Sequence, residues 1–189
     1  YNGACPGWGI YLGCETRSTT VKNNVVYRCR ELIHIFYNNR NVTIENNIFA
    51  GGGIGDWKKR RLSQIDYENP PSMGHKNIRF LRNVVYYSNP HSRLFHMSGE
   101  RSMPLESDYN VVFCNRTCIT FNPVIDGLEG VSAFWQWQEQ GYDRNSKVLA
   151  PRFVNPEKDN YHLQKGSPAF ELGFEAIDLS SVGLRGRED

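Results

Sequence analysis

Side chains that can exchange protons lie at the centre of short apolar segments. These segments share the pattern apolar–X–apolar and occupy residues 10–12, 33–35, 65–67, 95–97 and 119–121. In a β-strand the two flanking residues of such a triplet point to one face and the middle residue points to the other. If the segments stack as neighbouring strands, their middle residues form one outward column: Tyr11, His34, Asp66, His96 and Thr120.

The centre of this column has the residue types of an acid–base site. An imidazole and a carboxylate at the ~4.8 Å spacing of neighbouring strands change each other's pKa values, as general acid–base catalysis requires. Glu68 follows Asp66 on the same face, with its Cα about 6.6 Å away, a spacing that suits either glycosidase geometry. We therefore take Asp66, Glu68, His34 and His96 as candidate catalytic residues. Polar residues also face outward on any exposed sheet, so a merely solvated surface remains an alternative.

Aromatic and charged residues near the column are candidate substrate-binding groups. Tyr11 and Phe36 lie on the same predicted face, and Trp57 lies in a long excursion over residues 51–62, where function tends to concentrate. These rings are suited to stacking on sugars. Arg93 could supply positive charge, and Glu15 is the first acidic residue after the strand at residues 9–13.

A repeat predicts the elements that position these residues. Four segments, at residues 20–27, 43–50, 79–86 and 106–113, each carry an Asn beside Val, Ile or aromatic residues. The shared asparagines are Asn24, Asn47, Asn83 and Asn110, which are separated by 23, 36 and 27 residues. A repeat this short accommodates three short strands and tight turns, and stacked Asn side chains can hydrogen-bond from one coil to the next. The sequence therefore predicts a stacked solenoid with a buried Asn ladder.

Several stretches carry a family resemblance. Residues 9–13 (Gly-Ile-Tyr-Leu-Gly), 20–24 and 42–49 resemble the right-handed parallel β-helix superfamily, the pectin-lyase-like fold of many carbohydrate-active enzymes. Residues 107–110, 150–156, 161–163, 167–169 and 177–178 are similar to the C-terminal section of bacterial β-helix proteins, several of which are glycoside hydrolases. The resemblance implies an all-β fold, a right-handed parallel β-helix solenoid.

The region after the repeat predicts a helix and a tail. Residues 132–140 are typical of a short helix with Ser132 as N-cap and Gly141 at its end, whose Phe134 and Trp137 cover an end of the stack. The tail from residue 150 is expected to wrap the last coil. We thus expect β-helix coils over residues 1–122, continuing upstream, and a helix with a capping tail over residues 123–189.

Composition excludes several classes of function. The formal net charge is +2, which gives no argument for nucleic-acid binding. There is no apolar run of the ~18 residues that a membrane-spanning helix needs. No C-x-x-C pair supports a zinc site and no run of clustered acids suggests Ca²⁺, so we expect neither a metal nor another cofactor. The cysteine content and the two glycosylation sequons, at Asn41 and Asn115, favour a secreted or periplasmic protein.

The resulting hypothesis is a glycoside hydrolase that cleaves a polysaccharide or oligosaccharide, with Asp66 and Glu68 as acid and base. One alternative is a polysaccharide lyase acting on uronic-acid polymers, for which Arg93, Lys58 and Arg61 could supply charge. The other is a non-catalytic glycan-binding β-helix. Its support is that hydrolases of this type have acids after the Gly-Ile-Tyr-Leu strand, where this chain has Gly13 and Cys14.

A partner is also expected at the first coil. The upper edge of that coil is an unpaired strand edge, and solenoids protect such edges. The sequence therefore predicts an upstream β-helix segment or a second chain that covers this coil.

Overall fold

A computed structural model describes residues 7–55, 58, 62–89, 91–99, 104–115, 125–126 and 132–179. Most of its regular elements are short β-strands. The strands are β1 Trp8–Leu12, β2 Arg17–Lys22, β3 Val25–Tyr27, β4 Glu31–Ile35, β5 Arg40–Glu45, β6 Ile48–Ala50, β7 Leu62–Asn69, β8 Lys76–Leu81, β9 Val84–Tyr87, β10 Ser92–Gly99, β11 Leu105–Asp108, β12 Val111–Cys114, β13 Ile125–Asp126, β14 Lys147–Val148, β15 Phe153–Asn155 and β16 Asn160–Leu163. The helices are α1 Phe134–Glu139 and α2 Pro168–Glu171, with 3-10 turns at Pro71–Met73 and Pro156–Lys158.

The strands form three parallel sheets that the chain visits in turn. The first sheet has the order β1-β4-β7-β10-β13, the second β2-β5-β8-β11, and the third β3-β6-β9-β12-β14. Each strand therefore pairs with the strand three places further along the chain. The exception is β12, which pairs with β14, because no strand of the second sheet is described between β13 and β14. β15 and β16 form a separate antiparallel pair. The protein is thus all-β, built on parallel sheets.

Alternation of apolar and polar residues explains why these segments form half-buried strands. In β5 the pattern of Arg40–Glu45 buries Val42 and Ile44 and leaves their neighbours at least partly exposed. The equivalent residues of β8, Ile78 and Phe80, pair in register with them and are also buried. Apolar side chains from all three sheets join one core cluster.

The predicted Asn ladder is present and buried. Asn47 Oδ1 accepts hydrogen bonds from the Asn24 backbone N–H at 3.0 Å and from Asn24 Nδ2 at 2.9 Å. Asn83 Oδ1 accepts the same pair of bonds from Asn47, and Asn110 Oδ1 accepts them from Asn83. At the far end the ladder changes residue type, since the Asn110 backbone N–H donates to Ser146 Oγ at 2.7 Å.

The buried Asp143 closes this end of the ladder. Its carboxylate oxygens accept hydrogen bonds from Asn110 Nδ2, Ser107 Oγ, Ser146 Oγ and Trp137 Nε1, at distances of 2.7, 2.6, 2.5 and 2.7 Å. Asp143 therefore links the end of the ladder to helix α1.

The register predicted for the first sheet is confirmed over four strands and wrong for the fifth. Tyr11 pairs with His34, His34 with Asp66, and Asp66 with His96. His96 then pairs with Asp126, not with Thr120, which lies outside the described residues. Two apolar segments follow one another in the connection after β12, and it is the second of them that continues the sheet.

The helix and the tail close the structure from two sides. Helix α1 begins after Ala133, so the prediction of Ser132 as N-cap was wrong by one residue, whereas the burial of Phe134 and Trp137 is confirmed. The Trp137 ring lies 5.4 Å from the Phe95 ring, which places the helix against the core near the last coil.

The tail does not wrap the last coil alone. It packs along the third sheet in a second apolar cluster that combines tail residues with residues of β6, β9 and β12: Ile48, Ala50, Val84, Val111, Phe153, Tyr161, Ala169 and Phe174. The Glu175 backbone N–H donates to Asn46 Oδ1 at 2.6 Å, and the tail reaches back to the first coil, where Asp159 lies 2.9 Å from Arg28 and the Tyr161 ring 5.4 Å from the Tyr27 ring. Strands β13 and β14 lie beyond residue 122 and still pair with the parallel sheets, and the domain boundary stays a prediction.

Among the described residues, no helix has both the length and the apolar character needed to cross a bilayer.

Candidate functional site

A break in the alternation of the first sheet creates a second outward column. In β4 both Leu32 and Ile33 are fully buried, although neighbouring residues of a regular strand face opposite sides. The same pair of consecutive buried positions recurs in the next two strands, at Gln64 and Ile65 of β7 and at Leu94 and Phe95 of β10. Because the break is repeated in each strand, the strands stay in register.

Residues before the break therefore share the solvent face with those after it. The register pairs Trp8 with Glu31 and Ser63 with Arg93. The central column of this face is Tyr11, His34, Asp66 and His96. Continuing the register back across the break adds one column with Trp8, Glu31, Ser63 and Arg93, and continuing it forward by two residues adds another with Gly13, Phe36, Glu68 and Ser98. We call the group Glu31, His34, Asp66 and Glu68 the first-sheet cluster.

Glu31 is the most heavily bonded member of the first-sheet cluster. It is 5% exposed, and its Oε1 accepts a hydrogen bond from Arg30 Nε at 3.1 Å. Its Oε2 accepts from Trp8 Nε1 and lies 3.1 Å from His34 Nδ1. The Arg30 guanidinium also lies over the Trp8 ring, 4.7 Å from its centroid. Both carboxylate oxygens of Glu31 are thus engaged by neighbouring side chains.

His34 lies between three carboxyl groups. Its Nδ1 is 3.1 Å from Glu31 Oε2 and 3.7 Å from Asp66 Oδ2, and its Nε2 is 3.4 Å from Glu68 Oε1. The contact with Glu68 is close enough for charge attraction, yet Nε2 is a buried atom without hydrogen-bond geometry to any described group. The structure therefore brings together three of the four predicted catalytic residues.

Burial sets the protonation of Asp66. Its side chain is 14% exposed, and its buried Oδ1 has no hydrogen-bond partner among the described residues. Removal of the carboxylate from water is the largest cause that raises the pKa of Asp66; Glu31 and Glu68 add to the rise and His34 and Arg30 oppose it, and the net pKa is about 6. Asp66 therefore carries its proton at a pH where an ordinary aspartate has lost it.

The pKa of Glu31 is shifted in the opposite direction. Burial alone would raise its pKa, but hydrogen bonds from His34 and Trp8 and the charges of Arg30 and His34 together lower the pKa of Glu31. An ionised carboxylate only accepts hydrogen bonds, so in this contact Nδ1 of His34 must carry the hydrogen. Glu31 and Asp66 both contact the His34 ring, yet their pKa values are shifted in opposite directions because their surroundings differ.

Aromatic rings border the first-sheet cluster on the side of β1. Trp8 and Tyr11 are each 46% exposed, and their ring centroids lie 5.0 Å apart. The Tyr11 ring stacks on the His34 ring at 5.2 Å and lies 5.8 Å from the Phe36 ring. Together Trp8, Tyr11 and Phe36 form a partly exposed aromatic surface beside the carboxyl groups.

Three members of the cluster also have donor atoms suited to a cation. Single ligand atoms of Glu31, His34 and Asp66 all lie within 4.8 Å of one another, and an imidazole with two carboxylates suits a divalent metal. Glu31 Oε2 already accepts hydrogen bonds from Trp8 and His34, so a cation would displace both donors. The arrangement is accounted for by hydrogen bonding and ion pairing within the protein.

The remaining predicted residues fall into different places. His96 pairs with Asp66 in the sheet, and Arg93 lies in the column of Glu31, so both belong to the same face. Glu15 lies instead in the turn after β1, where it accepts from Asn38 at 3.0 Å and lies 3.9 Å from Arg17. Trp57 lies outside the described residues.

Sequence reasoning missed Glu31, Trp8 and Arg30. Strict alternation counted back from Ile33 assigns Glu31 to the buried face, and the break at Leu32 overturns that assignment. A signal was present, because Leu32-Ile33 and Leu94-Phe95 are consecutive apolar residues at equivalent places in two strands.

No family model, no curated protein and no solved structure matches the chain. Function is therefore inferred from the first-sheet cluster itself.

Proposed function

We propose that the protein is a right-handed parallel β-helix and a glycoside hydrolase that cleaves a polysaccharide or oligosaccharide. The fold proposal is supported by the pairing of strands three places apart and by the shared core of the three sheets. Crossovers between parallel strands of one sheet are right-handed in about 98% of cases, which favours that hand here.

The observation that carries the activity is a buried Asp66 carboxyl beside the more exposed carboxyl of Glu68. Asp66 has a pKa of about 6, and Glu68, two residues further on the same face, has a side chain that is 33% exposed. Asp66 lies near Nδ1 of His34 and Glu68 near Nε2, an arrangement compatible with the separations of about 5 to 9.5 Å found between paired glycosidase carboxyls.

The proposed chemistry gives the two carboxyls different roles. Asp66 gives its proton to the glycosidic oxygen as the bond to the anomeric carbon breaks. Glu68 either removes a proton from the attacking water or attacks the anomeric carbon itself, after which water releases the sugar. Each route adds one water across the broken bond. In the first route the proton of the attacking water stays on Glu68, and proton exchange with solvent restores both carboxyls. In the second route Asp66 takes a proton back from the water that releases the sugar.

The aromatic surface supports a sugar substrate. Trp8, Tyr11 and Phe36 present partly exposed rings next to the carboxyls, and such rings stack on the apolar faces of pyranose units. Polymeric sugars of this kind lie outside the cytoplasm, so we also propose a secreted or periplasmic location.

The test is product analysis after incubation with neutral and acidic polysaccharides. Mass spectrometry should find products that carry one added water, and the rate should fall as the pH rises through about 6, where Asp66 loses its proton. Asp66→Asn should release no product while binding glycan and folding normally. Hydrolysis at wild-type rate by this variant would refute the assignment.

A polysaccharide lyase is the second candidate, and one observation favours it. His96 pairs with Asp66, and Arg93 lies on the same face, so a base and a cation flank the carboxyls. A lyase needs such a pair to remove the proton beside a uronate carboxylate and to stabilise the resulting charge. Unsaturated products without added water, formed only from uronic-acid polymers, would identify it. Glycan binding without any product would instead indicate the non-catalytic β-helix.

We also propose that a further β-helix segment or a second chain covers the first coil. Support comes from the Asn ladder, because no group among the described residues donates to Asn24 Oδ1, whereas the three following Asn oxygens each accept two bonds. Trp8 and Tyr27 are also exposed, and they lie on β1 and β3, the edge strands of the same coil. Deuterium exchange of the β1 amides would be slow if the edge is paired and fast if it is open.

A further inference from the structure

We propose that Glu31 is a positioning residue, which holds the Nδ1–H of His34 away from Asp66 so that Asp66 stays the proton-carrying carboxyl. The roles named here rest on the proposed function, whereas the effect of Glu31 on its neighbours does not.

Glu31 is suited to positioning and not to direct contact with substrate. It is 5% exposed, and both of its oxygens are occupied, Oε1 by Arg30 and Oε2 by Trp8 and His34. Arg30 and Trp8 therefore fix the carboxylate from two directions. A carboxylate held in this way presents one fixed acceptor to the imidazole ring.

The geometry decides which carboxyl receives the hydrogen of Nδ1. Glu31 Oε2 lies 3.1 Å from Nδ1 with hydrogen-bond geometry, whereas Asp66 Oδ2 lies 3.7 Å away, beyond ordinary hydrogen-bond distance. A hydrogen bond to Asp66 would stabilise its ionised form. Because Glu31 takes this hydrogen, Asp66 keeps only the weaker attraction of the imidazole.

Glu31 acts on Asp66 in a second way, through its charge. Among the groups that face Asp66, Glu31 and Glu68 favour its protonated form, and His34 and Arg30 favour its ionised form. His96 is its neighbour on β10. Removal of the Glu31 charge and release of the His34 hydrogen therefore push the pKa of Asp66 in the same direction, downward.

The other ring nitrogen of His34 lies near Glu68. With Nδ1–H held by Glu31, Nε2 lies 3.4 Å from Glu68 Oε1, and Tyr11 stacks on the ring to restrict its rotation. Imidazole orientation by a buried carboxylate is a general device for presenting the second ring nitrogen in a defined state.

The test is NMR titration of the full chain, with Glu31→Gln as the primary variant because Gln has nearly the same shape. Carboxyl ¹³C shifts report the protonation of Asp66, and long-range ¹H–¹⁵N correlations report which ring nitrogen of His34 carries hydrogen. In Glu31→Gln the titration midpoint of Asp66 should fall by about one pH unit or more. Glu31→Ala, which also removes the acceptor, should in addition weaken the preference for hydrogen on Nδ1.

Glu45→Gln is the matched control. Glu45 is also a partly buried strand carboxylate with a cationic partner, Lys22 at 3.2 Å, but it lies on the second sheet. Glu45→Gln should leave unchanged both the titration midpoint of Asp66 and the ring nitrogen of His34 that carries hydrogen. An Asp66 midpoint in Glu31→Gln equal to that of wild type would overturn the proposal, whether or not the variant is active.

Activity separates the positioning role from the proposed function. If the chain hydrolyses glycans, Glu31→Gln should lower kcat by roughly tenfold to a hundredfold with little change in KM, and the basic limb of its pH profile should move to lower pH. A fall in the Asp66 midpoint in a protein that releases no product from any glycan supports the positioning role and counts against the hydrolase.

Discussion

Glu31 and His34 contact each other at 3.1 Å because the alternation of strand β4 breaks between them. In a regular strand two residues three positions apart face opposite sides, and their side chains would be separated by the backbone. The two consecutive buried residues Leu32 and Ile33 turn the strand, so that Glu31 and His34 meet on the same face. The first-sheet cluster exists because of this local irregularity.

The first prediction concerns Asp66 in catalysis. Asp66→Asn removes the proton donor without a change of shape, so kcat for glycan hydrolysis should fall by about 10²- to 10⁴-fold. Initial rates on the active glycan, with circular dichroism to verify folding, provide the measurement. Glu45→Gln on the second sheet is the control and should keep the wild-type rate. Loss of activity in both variants would point to a general effect on the protein.

The second prediction concerns stability and pH. The pKa of Asp66 is raised from 3.8 to about 6 on folding, so the folded state holds this proton more tightly than the unfolded state. The resulting stabilisation is complete below about pH 4 and is lost as the pH rises through about 6. Above that pH the native protein contains a buried charge, and Asp66→Asn should be more stable than wild type by on the order of 1–3 kcal/mol.

The measurement is thermal unfolding of wild type and Asp66→Asn at pH 4 and at pH 7.5. The variant should gain several degrees in Tm over wild type at pH 7.5, and clearly less at pH 4. The difference in Tm between the two proteins cancels the contributions of the other titrating groups. These include Glu31, whose pKa shift is opposite in sign. An equal Tm difference at both pH values would contradict a buried Asp66 carboxyl with a raised pKa.

The parts of the fold that repeat could be predicted from the sequence. The triplets around His34, Asp66 and His96 gave the correct register because each has apolar residues on both sides of one polar residue, and parallel strands that bury such residues have few registers available. The Asn ladder was predictable for a similar reason, since Asn83 and its equivalents recur at the same place in each repeat.

The parts that do not repeat were not predictable. The connection after β12 contains two apolar segments, and choosing between them requires the pairing of His96 with Asp126. The ladder ends in Ser146 and Asp143 instead of a fifth Asn, a substitution that only the three-dimensional arrangement reveals. Glu31 was missed because strict alternation does not allow two consecutive buried residues.

The third prediction concerns the Asn ladder. Asn83→Ala removes the acceptor for the Asn47 backbone N–H and the donor to the Ile44 carbonyl, both of them buried. Each of these two buried groups left without a partner costs about 1–3 kcal/mol, so the free energy of unfolding should fall by roughly 2–6 kcal/mol. Urea unfolding followed by fluorescence measures this change.

Asn24→Ala provides the comparison, because Asn24 lies at the end of the same ladder and is only half-buried. Its side chain donates to the Lys22 carbonyl and to Asn47 Oδ1, and no described group donates to its own oxygen. We expect a loss of unfolding free energy clearly smaller than for Asn83→Ala. Equal losses would mean that the ladder stabilises the protein by side-chain packing and not by satisfying buried backbone groups.

The fourth prediction concerns the aromatic surface. Tyr11 stacks on His34 and lies beside Phe36, but it carries none of the carboxyl chemistry. Tyr11→Ala should therefore weaken glycan binding by on the order of 1 kcal/mol, about fivefold in Kd or KM, with kcat changed much less. Isothermal titration calorimetry with the substrate oligosaccharide measures the binding directly. If the wild type hydrolyses the oligosaccharide, Tyr11→Ala is compared in the non-hydrolysing Asp66→Asn background.

Tyr109→Ala is the control for this prediction. Tyr109 has a similar exposure, 39% against 46% for Tyr11, but lies between β11 and β12, away from the first sheet. Its removal should leave glycan affinity unchanged. If instead the two variants bind equally well, the sugar does not stack on Tyr11, and the substrate must approach the carboxyls from the side of Arg93. A drop in kcat larger than the rise in KM for Tyr11→Ala would show that its stacking on His34 serves the reaction more than it serves binding.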